Sequence, residues 1–258
     1  MKDIVVIKCG GSTVNALTEA FFDSIAAMKA TGKHPIIVHG GGPAINEMLE
    51  AQNIKCEFVD GLRKTTAEVL NTAEMVLAGK VNKQIVSSLE ASGGAAIGLS
   101  GVDAGIIQAE AIDFEKLGFV GAVDSVNEAF LESLLLGGFI PVIAPIATDG
   151  RGGRLNINAD TAASAIARAL HADELLFVTD VEGVLIGGSL QEQVFVSDID
   201  SWISEGSIYG GMIPKVKAAA ECLDGNIEKI TIASGYATLR HKDGTLKGTT
   251  ITKEKTVK

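Results

Sequence analysis

The chain has 258 residues, of which 47% are hydrophobic and 21% are charged, and its formal net charge is -10. This composition supplies a large apolar core, and a negative field without any Lys/Arg-rich stretch argues against nucleic-acid binding. No apolar run reaches the roughly 18 residues of a membrane span, and a strand pattern rather than a signal peptide opens the chain, so we predict a cytoplasmic protein without a membrane partner.

Short runs rich in Ile and Val alternate with helical patterns along the chain. Strands are predicted at 3–7, 35–38, 96–99, 140–144, 175–178 and 229–233. Helices are predicted at 17–30, 43–51, 66–89, 126–136, 159–170 and 212–223. The alternation predicts an α/β fold, with an open and mostly parallel sheet sandwiched between helices in three layers. Ligands of such sheets bind beyond the carboxyl ends of the strands, so the loops there are expected to carry the chemistry.

A cluster of turn residues at 147–154 interrupts this pattern. It predicts a single domain with two lobes that share one sheet. The first lobe, residues of about 1–150, would bind a substrate, and the second, residues of about 151–258, would bind a nucleotide. The three cysteines are far apart and have no CxxC or clustered histidine spacing, which favours reduced and buried thiols and disfavours disulfide or zinc roles.

The first predicted strand ends in a lysine and a glycine pair, in the run Lys8-Cys9-Gly10-Gly11-Ser12. Glycine amides can form an anion-binding nest, and a lysine ammonium adds positive charge beside it. The same run also fits a solvated lysine next to a tight turn. By itself it therefore leaves both interpretations open.

The second predicted strand ends in His39-Gly40-Gly41-Gly42-Pro43, and a helix follows at once. Bare amides at a helix N-terminus are suited to a negative group. A sharp turn needs one glycine, and each further one costs about 0.5–1 kcal/mol relative to alanine, so we expect a ligand to approach them. His39 is expected to pack at the turn rather than to transfer protons. Neither GxxxxGK[ST] nor GxGxxG occurs at these loops, which disfavours a P-loop or an ordinary dinucleotide fold.

Later polar residues add to this pattern. Arg63 is suited to a bidentate grip on a carboxylate, although a surface arginine is an equal alternative. Asn156 can both donate to and accept from an amide-bearing ligand. Asp160 falls in a first helical turn, where a negative charge is favourable. Lys215 also falls in a first helical turn, where a lysine is unfavourable unless an anion binds beside it.

Together these motifs resemble the amino-acid kinase family over nearly the whole chain. The runs that carry the resemblance, in the family's order, are Lys8-Cys9-Gly10-Gly11, His39-Gly40-Gly41-Gly42, Gly61-Leu62-Arg63, Val81-Asn82-Lys83, Asn156-Ile157-Asn158-Ala159-Asp160, Thr179-Asp180-Val181 and Gly211-Met212-Ile213-Pro214-Lys215. The third and fifth runs are similar to those of members that phosphorylate N-acetyl-L-glutamate. The resemblance implies transfer of a phosphoryl group from ATP to the side-chain carboxylate of that acid, in arginine biosynthesis.

The resemblance also implies residue roles. Lys8 and Lys215 would stabilise negative charge on the phosphoryl group during its transfer, and Asp160 would hold the ammonium groups of both lysines in place. Gly41 and Gly42 would bind the reacting carboxylate of the acid. Arg63 would bind its α-carboxylate, and Asn156 would bind its acetamido group. ATP would be bound at its outer phosphates by Gly10 and Gly11, and at its adenine and ribose by Asp180, Val181, Glu182, Gly183, Val184, Leu185, Tyr209, Gly210 and Gly211.

Three further expectations concern ions, assembly and rival substrates. No carboxylate cluster suggests a metal cage, so Mg²⁺ is expected mainly on ATP oxygens and water. Arginine-inhibited members of the family carry an extra N-terminal helix that ties dimers into a hexamer, and here Lys8 is only seven residues from the start, so we expect a homodimer without arginine feedback. A uridylate, carbamate, glutamate or aspartate kinase, or a non-catalytic sensor of an acidic metabolite, are the alternatives.

Overall fold

A computed structural model describes residues 1–210, 212–223, 227, 229–236, 238–239 and 247–253. The strands in this part are, in chain order, β1 (Ile4–Cys9), β2 (His34–His39), β3 (Phe58–Val59), β4 (Leu62–Arg63), β5 (Ala96–Ser100), β6 (Ile107–Ala111), β7 (Gly121–Val126), β8 (Ile140–Ala144), β9 (Ile146–Thr148), β10 (Arg154–Asn156), β11 (Glu174–Thr179), β12 (Leu185–Ile186), β13 (Ser189–Leu190), β14 (Gln193–Phe195), β15 (Lys229–Ser234) and β16 (Thr249–Thr252). The helices are α1 (Glu19–Ala30), α2 (Gly42–Ala51), α3 (Ala67–Glu74), α4 (Asn82–Ala91), α5 (Phe114–Leu117), α6 (Glu128–Leu136), α7 (Ala159–Ala169), α8 (Val196–Ser204) and α9 (Met212–Leu223). A π-helical segment, Met75–Val81, joins α3 to α4.

The main sheet has the strand order β14-β16-β15-β11-β1-β2-β8-β5 within the described residues. Its central strand, β1, pairs in parallel with β11 and β2, while β16 runs antiparallel to β15 near one edge. Neighbouring residues of β1 face opposite sides: Val6 packs with residues of α7, and Ile7 packs with residues of α1 and α4. The sheet therefore lies between two helical layers, which confirms the predicted three-layer fold.

Each of the predicted strands belongs to this main sheet. Their apolar runs are buried, as is typical of parallel strands covered on both faces, except in the edge strand β5, which is partly exposed along its length. The sequence did not reveal the second sheet, which has the order β10-β9-β6-β7. Its strands are half exposed; in β6, for example, Ile107 and Ala109 are buried while Gln108 and Glu110 face solvent. Short strands with mixed polarity carry too weak a signal against the surrounding turns.

The turn residues near position 150 lie inside this second sheet. Thr148 pairs with Arg154 in the β9–β10 hairpin, and Asp149 Oδ1 accepts hydrogen bonds from the amides of Arg151 (2.8 Å) and Gly153 (2.7 Å). Strands before and after this hairpin pair with each other in the main sheet. The division into two lobes near residue 150 stays a prediction.

No helix in the described ranges is both long enough and apolar enough to cross a membrane. The parallel strands β11, β1 and β2 end at the same edge of the sheet, at Thr179, Cys9 and His39. The loops that follow them form the walls of two cavities.

Candidate active site

Two neighbouring cavities, of about 330 Å³ and about 290 Å³, lie at this edge. The first, here called the lysine cavity, contains Lys8 and Lys215; the second, the glycine cavity, contains Gly40–Gly42. Lys8, Ser12 and Asp160 line both. A group that passes from one cavity to the other would therefore pass the Lys8 ammonium.

Lys8 is held at this shared wall by an ion pair. Its Nζ lies 2.8 Å from Asp160 Oδ1, and only 15% of the lysine side chain is exposed. Asp160 stands in the first turn of α7, where the side chain of the N-cap residue Asn158 accepts hydrogen bonds from the amides of Asp160 (2.8 Å) and Thr161 (3.2 Å). The positive end of the helix and the lysine both stabilise the Asp160 carboxylate.

Lys215, in the first turn of α9, has a carboxylate partner of its own. Its Nζ lies 3.0 Å from Asp180 Oδ1 and also donates to Thr179 Oγ1. The hydrogen bonds from Lys215 and Thr179 hold the pKa of the Asp180 carboxyl below its ordinary value. In this structure Asp160 therefore pairs with Lys8, and Asp180 pairs with Lys215. That Asp160 holds both ammonium groups stays a prediction.

The two glycine loops cross each other backbone to backbone. A Cβ on Gly11 would lie 2.6 Å from the Gly42 nitrogen and 2.8 Å from the Gly41 nitrogen, and one on Gly40 would lie 3.0 Å from the Gly11 nitrogen. A Cβ on Gly41 would lie 2.6 Å from Leu77 Cδ2. The nearest atom to a Cβ on Gly42, in contrast, would be 3.9 Å away. The chain's own packing therefore leaves little or no space for a Cβ on Gly11, Gly40 or Gly41, whereas a Cβ on Gly42 would meet no such close neighbour among the described residues. The residues Gly40, Gly41 and Gly42 all line the cavity.

Arg63 and Asn156 also line the glycine cavity. The Arg63 side chain is buried; its Nη2 donates to Gly42 O at 3.3 Å, and its Cζ lies 4.8 Å from the ring centroid of Phe58. Asn156 Nδ2 donates to Thr65 Oγ1 at 3.1 Å. The cavity combines a guanidinium, an amide and glycine amides, a donor set suited to an acid with an amide group.

His39 is a packing residue. It is fully buried, with Nδ1 3.0 Å from Gly40 O and Nε2 3.2 Å from Asn82 Nδ2. Asn82 Nδ2 also lies 2.9 Å from Val142 O, so the pair ties the end of β2 to β8. Burial lowers the pKa of His39 to about 4, so its imidazole is neutral at pH 7.

Comparison with known proteins identifies the family. Residues 3–234 match the Amino acid kinase family. The chain belongs to the amino acid kinase family. An acetylglutamate kinase from Geobacillus sp. (strain WCH70) is 52% identical over 254 residues, which cover 98% of each chain.

Solved structures agree with this assignment. The protein smu.665 from Streptococcus mutans UA159 is 32% identical, with a TM-score of 0.83, and the match covers 98% of this chain and 100% of that one. Carbamate kinase from Giardia lamblia bound to AMP-PNP is 18% identical, with a TM-score of 0.68 and coverage of 98% and 99%. The second match shows that the amino acid kinase fold is shared, and nothing about substrate.

The residues expected at the nucleotide of an amino acid kinase are only partly brought together. Gly10 and Asp180 line the lysine cavity, and Gly11 lines the glycine cavity. The others in the described part do not line either cavity: Val181, Glu182, Gly183, Val184, Leu185, Tyr209 and Gly210. Val184 is buried and its amide donates to Thr249 Oγ1 at 2.7 Å, whereas Tyr209 is 74% exposed. Gly211 lies outside the described residues.

Sequence reasoning missed several residues that line the site of this amino acid kinase. Ser12 and Thr13 directly follow the first glycine pair, and Thr179 directly precedes Asp180. Ser12 and Thr179 belong to runs that the sequence analysis had noted for other residues, and Thr13 directly follows one of these runs. Their position beside those residues is the signal that could have found them. Phe58 gave no such signal, because only the β3–β4 hairpin brings it to Arg63.

The buried His39 should make stability depend on pH. Its pKa is about 4 in the folded chain and about 6.5 in the unfolded chain, so the unfolded state takes up the proton first as pH falls. The stabilisation is complete above pH 6.5 and is lost as pH falls towards 4, by about 3 kcal/mol in total. Urea unfolding of wild type and His39→Gln across this range measures it: the variant should lose less stability on acidification, whereas the exposed-site control His171→Asn should lose as much as wild type. Equal acid sensitivity of wild type and His39→Gln would contradict the assignment.

Proposed function

We propose that this amino acid kinase transfers the γ-phosphoryl group of ATP to the side-chain carboxylate of N-acetyl-L-glutamate, a step of arginine biosynthesis. The observation that carries the proposal is the wall of Lys8, Ser12 and Asp160 shared by two cavities, one with a carboxylate-binding arginine and one with a second lysine. The 52% identity to an acetylglutamate kinase over 98% of both chains supports the choice of acid.

The acid would occupy the glycine cavity. Arg63 would bind its α-carboxylate, Asn156 its acetamido group, and the amides of Gly41 and Gly42 its reacting carboxylate. These last two stand at the start of α2, where the helix dipole favours negative charge. A carboxylate is already ionised at neutral pH, so no protein base has to remove a proton, which agrees with a neutral and buried His39. The residues around the acid would therefore contribute mainly by aligning the acceptor carboxylate.

The phosphates would occupy the lysine cavity. The barrier to the reaction is the repulsion between the carboxylate and the γ-phosphoryl oxygens, and the ammonium groups of Lys8 and Lys215 would offset it. Asp160 and Asp180 each keep one of these ammonium groups in place. Gly10 and Gly11 would donate amides to the outer phosphates, while Val181–Leu185 and Tyr209–Gly211 remain predictions for the adenine and ribose.

Mg²⁺ bound to the phosphate oxygens of ATP would neutralise part of their charge. Over the residues that the structure describes, no three His, Cys, Asp or Glu side chains come together in a way that could hold a metal ion. Asp160 and Asp180 face the cavity but are engaged with lysines. This donor set fits a metal carried by the nucleotide rather than by the protein.

The proposal includes the two lobes. Gly40–Gly42 and Phe58–Arg63, from residues of about 1–150, would serve the acid, and Thr179–Asp180 with Lys215, from residues of about 151–258, would serve ATP. The central β1 would contribute Lys8 to both. A homodimer and a cytoplasmic location also remain predictions.

A coupled assay of ADP release with and without N-acetyl-L-glutamate tests the function. We expect release to depend on this acid, with L-glutamate, aspartate, carbamate and uridylate as poor acceptors. Rapid turnover of uridylate or carbamate would contradict the proposed substrate. Saturable binding of the acid without ADP release would favour a sensor.

Replacing Arg63 with alanine should chiefly weaken the binding of N-acetyl-L-glutamate. Losing a charge-assisted contact to a carboxylate should raise the KM for N-acetyl-L-glutamate by about 10- to 100-fold, with little change in the KM for ATP. Steady-state kinetics against both substrates measure this, with the exposed loop variant Arg151→Ala as the control. An unchanged KM for the acid would remove the proposed role.

A further inference from the structure

Phe58 lies at the mouth of the glycine cavity with 57% of its surface exposed. A single exposed apolar side chain is common, so the exposure alone assigns no role. Its position beside Arg63 does, because Arg63 Cζ lies 4.8 Å from the centroid of the ring. A guanidinium at this distance from an aromatic face is attracted to it.

The backbone sets this contact. Phe58 and Arg63 are direct cross-strand partners in the β3–β4 hairpin, so their side chains lie on the same face. The hairpin turns through Asp60 (φ 51°) and Gly61 (φ 80°), the left-handed pair that a tight two-residue turn requires. Lys116 Nζ lies 2.8 Å from Asp60 Oδ2 and fastens the turn to α5. The β3–β4 hairpin thus places the Phe58 ring against the Arg63 guanidinium.

The other contacts of the Arg63 guanidinium are to a backbone carbonyl and a cysteine sulfur. Its Nη2 donates to Gly42 O, its Nη1 donates to Cys56 Sγ, and the side chain is only 9% exposed. Within the described part of the chain, no carboxylate oxygen lies within 4.0 Å of it. Burying a cation without an anionic partner is unfavourable in free energy, so an anion that enters the cavity would bind favourably beside this guanidinium.

We propose that Phe58 is a positioning residue, which holds the Arg63 guanidinium towards the bound acid and thereby sets affinity for the acid without taking part in phosphoryl transfer. This rests on the proposed function. The ring supplies an attractive face that needs no hydrogen bond, so the donors of the guanidinium stay free for a carboxylate. An aliphatic side chain of similar size would fill the space without this attraction.

Kinetics of Phe58→Leu, Phe58→Tyr and wild type test the inference. Loss of the cation–π contact should raise the KM for N-acetyl-L-glutamate by about threefold to thirtyfold in Phe58→Leu. The KM for ATP and kcat should stay near wild type, and Phe58→Tyr should restore the low KM for the acid. The matched control is Phe139→Leu, since Phe139 is also exposed (41%) but lies at the amino end of β8, away from both cavities.

A double-mutant cycle separates positioning from a general structural effect. In an Arg63→Ala background, Phe58→Leu should raise the KM for the acid no further, because the ring acts through the guanidinium. Calorimetric titration of each variant with N-acetyl-L-glutamate, without nucleotide, gives the same comparison independently of turnover.

The outcomes distinguish this inference from the proposed function. A wild-type chain that phosphorylates the acid, combined with an unchanged KM in Phe58→Leu or with additive effects in the cycle, contradicts the role of Phe58 alone. A wild-type chain that neither binds nor phosphorylates the acid contradicts the proposed function, and the role of Phe58 with it.

Discussion

Replacing Lys8 with alanine should lower kcat by about 10²- to 10³-fold and should change the KM for N-acetyl-L-glutamate far less. The Lys8 ammonium, paired with Asp160 at 2.8 Å, stands where the two cavities meet, so its attraction grows as charge develops between acceptor and donor. An interaction that strengthens in the transition state appears in kcat, whereas one that is uniform appears in KM. Initial-rate kinetics over a matrix of both substrates separate these parameters.

The matched control for this prediction is Lys80→Ala. Lys80 forms an exposed ion pair, with its Nζ 3.7 Å from Glu47 Oε2, and it lines neither cavity. Exposed pairs of this kind contribute little, so both kinetic parameters should stay near wild type. Equal losses in kcat and in affinity for the acid in Lys8→Ala would instead favour a protein that only binds its ligand.

The second large effect is expected for Gly11→Ala. The added Cβ would lie 2.6 Å from the Gly42 nitrogen and 2.8 Å from the Gly41 nitrogen, and both neighbours are backbone, which cannot rotate away. The two loops must then separate, and the amides facing the acceptor move with them. Because a misplacement of roughly 1 Å can cost about 10²-fold in rate, we expect kcat to fall by about that factor.

Gly79→Ala is the control for a glycine without such a neighbour. Nothing lies within 4 Å of a Cβ at this exposed helical position, so alanine should stabilise the chain by about 0.5–1 kcal/mol and leave kcat unchanged. Thermal unfolding of both variants shows whether Gly11→Ala remains folded when its rate is measured. Full activity of a folded Gly11→Ala would show that the crossing of the loops does not control the reaction.

The residues of the candidate site were largely predictable one at a time. Local position left Lys8 and Asp160 open to purely structural interpretations, and only Lys215, a lysine in a first helical turn, pointed to an anion beside it. The resemblance to the family is what assigned roles to all three. Their pairing could not be predicted, since it depends on where α7 and α9 cross the sheet. Nothing in the sequence indicated that Asp180 would pair with Lys215 while Asp160 pairs with Lys8.

The glycine loops show a second limit of sequence reasoning. Consecutive glycines at 40–42 led us to expect that a ligand approaches the backbone closely, and that expectation stays a prediction. In the structure, the chain itself approaches Gly40 and Gly41 closely, through Gly11 and Leu77, whereas the nearest described neighbour of a Cβ on Gly42 would be 3.9 Å away. The missing Cβ is visible in the sequence, but the identity of its neighbour is a property of the tertiary structure.

The sequence by itself determined the parallel strands β1, β2, β5, β8, β11 and β15 of the main sheet, because such strands are continuous apolar runs whose handed crossovers leave few topologies. It did not reveal β14, β16 or the second sheet. It also determined that charge and bare amides collect at the strand ends. Only the tertiary structure decided which lysine meets which carboxylate, and that Phe58 lies against Arg63. Burial patterns are local properties of the chain, whereas contacts between side chains distant in sequence depend on how its elements pack.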